Sequence, residues 1–82
     1  MFFVYVLYSP SADKFYVGYT SNLESRLFSH NVLGTKDWTK RYRPWNLVYT
    51  ESYGSKSSAL KREKELKTGV GREFIRKILS KE

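Results

Sequence analysis

Two runs rich in aromatic and β-branched residues, Phe2 to Tyr8 and Phe15 to Tyr19, are separated only by Ser9-Pro10-Ser11-Ala12-Asp13-Lys14. Each run reads as a strand, because such side chains suit a pleated, half-buried surface. The intervening Ser, Pro and Asp read as a turn. So short a connection cannot carry a parallel crossover, and the two strands must form an antiparallel hairpin. Alternation then places Phe2, Val4, Val6 and Tyr8 on one face, with Phe3, Tyr5 and Leu7 on the other. Apolar side chains on both faces require cover on both sides.

The rest of the chain supplies that cover. Ser21-Asn22-Leu23-Glu24 has the form of a capping box and predicts a helix over 22–31. Residues 32–44 show no period and hold Gly34, Pro44 and several cations, so they read as a basic loop. Residues 45–50, Trp45 to Thr50, read as a third strand. Ser55 to Ser58 should open a second helix ending near Lys67, Gly69 and Gly71 should break it, and 72–79 should form a short amphipathic helix. The order β-β-α-β-α-α predicts an α+β (α/β class) fold, a three-stranded antiparallel sheet flanked by helices. Residues 1–82 read as one domain.

A chain this short buries only about 60–65% of its unfolded surface. The absence of cysteine removes disulfides, thiolate zinc sites and Cys nucleophiles. Seven Tyr, five Phe and two Trp make up the apolar area instead. Fifteen Lys and Arg against eight Asp and Glu give +7, which points to an anionic partner. Nucleic acid fits best, since phosphate contacts by Lys and Arg dominate its non-specific affinity. The apolar N-terminal run lacks the form of a signal peptide, and nothing approaches the length of a membrane span. The expectation is a cytoplasmic protein without membrane association.

Four features break the simple pattern. In the helix expected over 55–67, Ala59, Leu60 and Leu66 define the inward stripe, and Glu63 falls between Ala59 and Leu66, whereas Glu65 points away with Lys61. A carboxylate there is costly unless paired or bound to metal. A partly exposed Glu held by a neighbouring Arg is the equally weighted structural alternative. Asn22, Arg26 and His30 are spaced i, i+4, i+8 and share a helix side opposite Leu23 and Leu27. They could grip and protonate a phosphate, though a solvated polar face is the commoner meaning of such a pattern. Tyr5 and Tyr16 lie centrally on the hairpin, and Gly18 leaves room beside Tyr16. Finally, Lys36, Lys40, Arg41 and Arg43 are interleaved with Trp38, Tyr42 and Trp45, a mixture suited to phosphate contact and base stacking.

Together these residues resemble the GIY-YIG nuclease domains. The resemblance is carried by Val4-Tyr5-Val6 followed by Tyr16-Val17-Gly18, then Asn22-Leu23-x-x-Arg26-Leu27 and His30-Asn31. It continues through Thr39-x-x-x-Arg43-Pro44, Leu47-Val48-Tyr49 and Ala59-x-x-x-Glu63. The similarity is greatest to small stand-alone bacterial-type members. Larger members include the nuclease subunit of nucleotide excision repair, homing endonucleases and some restriction enzymes.

The resemblance implies hydrolysis of DNA phosphodiester bonds with one divalent ion, Mg²⁺ or Mn²⁺, and no small-molecule cofactor. It implies Glu63 as metal ligand, Tyr16 to orient or deprotonate the attacking water, and Tyr5 in support. Arg26 would stabilise charge on the phosphate, and His30 would relay a proton. The chain departs from the family pattern in having Val4 for Gly in the first motif. Tyr19 stands where some members place Lys, and larger members carry an Asn near the end of the domain, whereas the last Asn here is Asn46. The last two departures leave room for weak activity or an unusual substrate. With no separate targeting segment, low sequence specificity is expected, with DNA as the polymer and RNA the alternative. The competing functions are a nucleic-acid-binding module with vestigial chemistry and, weakest because it ignores the charge, a protein-interaction domain.

Overall fold

The structure is a computed structural model, and it describes residues 1–28 and 45–80. Strand β1 (Phe2–Ser9) and strand β2 (Lys14–Thr20) form the expected antiparallel hairpin, with Tyr5 directly opposite Gly18. Strand β3 (Asn46–Tyr53) pairs antiparallel with the other edge of β1, giving the order β2-β1-β3. It runs three residues beyond the expected limit at Thr50. A register shift between Val6 and Leu7 marks a bulge there, Val6 facing Tyr49 and Leu7 facing Leu47.

Central strand β1 is buried on both faces, so Val4, Tyr5, Val6 and Leu7 are all inaccessible. Its alternation divides the core in two. Val4, Val6 and Val17 pack with Ala59, Leu66 and Ile75 on one side. Tyr5 and Leu7 pack with Trp45 on the other, joined by Tyr16, Leu23 and Leu27. Both expected strand faces are therefore present. Trp45 is only 2% exposed, so it serves the core and not base stacking.

Helix α1 (Leu23–Phe28) covers the Tyr5 face. Its cap is Asn22, not Ser21: the Asn22 Oδ1 accepts a hydrogen bond from the Ser25 amide at 3.1 Å. The competing Ser21 cap fails because Thr20 Oγ1 accepts from the Asn22 amide at 3.1 Å and fixes that residue at the turn. Helix α2 (Lys56–Leu66) covers the valine face, and its cap is Ser55, whose hydroxyl accepts from the Ser58 amide. Of the expected inward stripe, Ala59 and Leu66 are buried and Leu60 is half-buried.

Helix α3 spans Gly69–Ser80, so the two glycines do not form a break; they lie within the first turn. The chain turns at Lys67 and Thr68, where the Thr68 hydroxyl donates to Glu65 O and accepts from the Gly71 amide. Gly71 is demanded by packing. A Cβ there would lie 2.3 Å from Glu65 O and 2.4 Å from Leu66 Cα, so only glycine lets α3 approach α2 this closely.

Candidate active site

Edge strand β2 carries the site. Its even-numbered residues share the α1-side face with Tyr5, and α2 packs across β1 and β2 from the opposite face. A cleft of about 440 Å³ opens where these layers meet, lined among others by Tyr5, Tyr16, Gly18, Arg26, Lys56 and Glu63. Side chains from a hairpin and two helices, 58 positions apart at the extremes, thus converge on one cavity.

Gly18 makes the Tyr5 position possible. A Cβ at residue 18 would lie 2.5 Å from the Tyr5 hydroxyl and 3.0 Å from the Tyr16 ring. The room left by this glycine beside Tyr16 is taken by the Tyr5 hydroxyl, and the two rings lie 6.2 Å apart. Tyr16 also meets Trp45 edge-on at 6.4 Å, so its ring contacts two buried aromatic side chains. Burial is the chief reason the Tyr5 phenol is pushed far above its ordinary pKa. Nearby Tyr16 and Glu63 push the same way, the Arg26 charge opposes them, and the hydrogen bond with Tyr16 adds to the rise. Tyr5 is therefore a protonated hydrogen-bond donor at neutral pH.

Glu63 reaches the cleft from α2 with its side chain 14% exposed. Among the described residues the cation paired with it is Lys67, one turn on: Lys67 Nζ lies 3.8 Å from Glu63 Oε1. A loose pair with a half-exposed lysine contributes little, about 0.5 kcal/mol. Arg26 is an exposed residue of α1 that lines the cleft from the other side. Asn22, on the same helix side in sequence, is occupied by capping and lines a separate depression with Glu24, Ser25 and Phe28. His30 and the cations Lys36, Lys40, Arg41 and Arg43 lie outside the described residues.

The donor set can be tested for a hard cation. Among the described residues no three His, Asp or Glu side chains cluster, and Glu63 is the one carboxylate lining the cleft. Mg²⁺ keeps several waters and commonly takes one or two carboxylates plus substrate phosphate. A single poorly solvated carboxylate, with Arg26 and Lys56 in the same cavity to receive phosphate, fits that chemistry.

Two groups escaped the sequence reading. Lys56 lies seven residues before Glu63, a spacing that returns to the same helix side, so the signal was present. The other is a cluster outside the cleft. Glu51 accepts from Arg62 Nε at 2.9 Å and Nη2 at 3.1 Å, and from the Tyr49 and Tyr53 hydroxyls. Tyr49, Glu51 and Tyr53 share a strand face at period two, but their meeting with Arg62 depends on how α2 lies over β3.

Comparison with known proteins gives a consistent result. The GIY-YIG catalytic domain family matches residues 1–75. A UPF0213 protein of Staphylococcus haemolyticus is 46% identical over 56 residues, 68% of each chain. A UPF0213 protein of Staphylococcus aureus is 41% identical over 76 residues, 93% of this chain and 92% of that one. The solution NMR structure of a UPF0213 protein from Bacillus halodurans superposes with a TM-score of 0.56 at 27% identity. That superposition covers 95% of this chain and 85% of the other. Among the described residues no helix is long and apolar enough to cross a membrane.

Proposed function

We propose, from the premise that this chain belongs to the GIY-YIG catalytic domain family, that its cleft hydrolyses DNA phosphodiester bonds with the help of one divalent ion. The observation that carries this reading is the convergence of Tyr5, Tyr16, Arg26 and Glu63 on one cavity. Glu63 would hold the ion, which when bound supplies Lewis-acid polarisation of the phosphate.

The residues of the chain divide the remaining work. Tyr5, kept protonated by burial, donates its hydrogen bond toward Tyr16 and fixes the second phenol at the cleft. Tyr16 orients the attacking water by hydrogen bonding to it, and the water's proton passes on to solvent as the new P–O bond forms. Arg26 stabilises the negative charge that builds on the non-bridging oxygens. As the opposite P–O bond breaks, the leaving oxygen needs a proton, and His30 is the titratable group proposed to relay it. The scope proposed is low sequence specificity within one 82-residue domain.

Single-turnover cleavage in Mg²⁺ or Mn²⁺, on single-stranded, duplex and branched DNA and RNA, tests this reading. Glu63→Gln should lose cleavage while retaining metal-free DNA binding, because it keeps shape and removes the ligand charge. Wild type that binds DNA but cuts none of the panel would leave a binding module in place of an enzyme. Glu63→Gln cutting as fast as wild type would place the chemistry elsewhere.

A further inference from the structure

We infer that a second, basic groove along β2 holds the single-stranded DNA segment that flanks the reaction centre, an inference resting on the nuclease reading above. This groove, about 270 Å³ in volume, is lined by Phe15, Tyr16, Val17, Lys67 and Arg72. Tyr16 also lines the catalytic cleft, so this residue borders both cavities. Lys67 stands at the same junction, 3.8 Å from Glu63 in the cleft and lining the groove beyond it. A phosphodiester chain with its reacting phosphate near Glu63 therefore meets this groove at its next units.

The groove's chemistry suits unpaired nucleotides. Its apolar side is Phe15 and Val17, its polar side is Lys67 and Arg72, and among the described residues no carboxylate lines it. Arg76, one helical turn beyond Arg72 on α3, places its guanidinium 5.9 Å from the centre of the Phe15 ring. Phe15 itself packs partly into the core, so its ring is already ordered. A fixed aromatic ring beside a row of cations is the arrangement that stacks bases while neutralising phosphates, and stacking requires bases that are not paired. The nearest acid on the hairpin turn, Asp13, accepts the Tyr8 hydroxyl at 2.8 Å.

The test measures binding without chemistry, in EDTA, on a length series of single-stranded DNA oligonucleotides with matched RNA. Arg72 and Arg76 are both exposed, so Arg72→Gln/Arg76→Gln should fold normally. On oligonucleotides long enough to leave the cleft, this double variant should lower the log–log salt slope by about 1.4, two contacts at about 0.7 each. On the shortest oligonucleotides it should bind as wild type does. Phe15→Leu keeps an apolar side chain but removes the ring, and it should weaken long-oligonucleotide binding roughly tenfold with the salt slope unchanged. Equal slopes for wild type and the double variant, or tighter binding of an acidic peptide than of DNA, would overturn the groove assignment. Preference for RNA over DNA would overturn the polymer assigned. Absence of cleavage by wild type, in contrast, would sink only the nuclease reading, because binding in EDTA is read independently.

Discussion

Position 18 shows how much of the site depends on one missing side chain. The Tyr5 hydroxyl occupies the space in which a residue-18 Cβ would sit, 2.5 Å away, and the Tyr5 side chain is buried. Gly18→Ala must therefore turn the Tyr5 ring or separate β1 from β2. Overpacking of this kind costs about 1–3 kcal/mol. The larger effect should be on rate, since a shift near 1 Å at a reacting group costs about 100-fold. Urea unfolding beside single-turnover cleavage checks both, and a variant that cuts at the wild-type rate would remove Tyr5 from the mechanism.

Among the elements, the junction of α2 and α3 departs most from the pattern expected of its residues. Two glycines two positions apart suggest a helix stop by composition, yet both are helical. They differ in what surrounds them. Gly71 faces the Glu65 and Leu66 backbone, whereas nothing lies within 4 Å of a Cβ built on Gly69. Gly71→Ala should accordingly destabilise by about 3 kcal/mol, because backbone atoms cannot rotate aside as a side chain can. Gly69→Ala should stabilise by about 0.5 kcal/mol by restricting the unfolded chain. Thermal or urea midpoints for the pair decide the matter, and equal shifts would refute close helix contact as the reason for Gly71.

The whole molecule is tied together by Glu51 and Arg62, which link the sheet to α2, while the Arg62 guanidinium also lies 5.5 Å from the Phe74 ring of α3. Burial raises the Glu51 pKa, but the bonds from Arg62, Tyr49 and Tyr53 outweigh it and hold the carboxyl below its ordinary value of 4.5. A carboxyl depressed in the folded state contributes stability that is complete above 4.5 and disappears as pH falls through the folded value. Unfolding free energy should thus be insensitive to this group from pH 7 to 5 and decline below 4.5. Glu51→Gln should flatten that acid limb and cost about 2 kcal/mol at pH 7, since the charge-assisted bonds weaken. A Glu51→Gln limb as steep as wild type would place the acid sensitivity in other carboxylates.

The sequence by itself determined the strands, the hairpin, the element order and the family, because these follow from short-range periodicity and from ordered motifs. It also marked Glu63 as out of place on an apolar stripe, since a helix repeats within a turn or two. Local pattern misled where two local signals competed, as with Ser21 and Asn22 for the α1 cap, or where a glycine served a neighbour and not its own backbone, as at Gly71. Only the tertiary structure decided that Tyr5 and Tyr16 on one sheet face share a cavity with Glu63 from a helix on the other. Alternation assigns side chains to faces, but it does not say that α2 packs across β1 and β2 so as to close a cleft at the outer strand. The same holds for Glu51 with Arg62 and for Phe15 with Arg76. Each pair joins residues with no shared periodicity, and only the docking of helix on sheet brings them within reach.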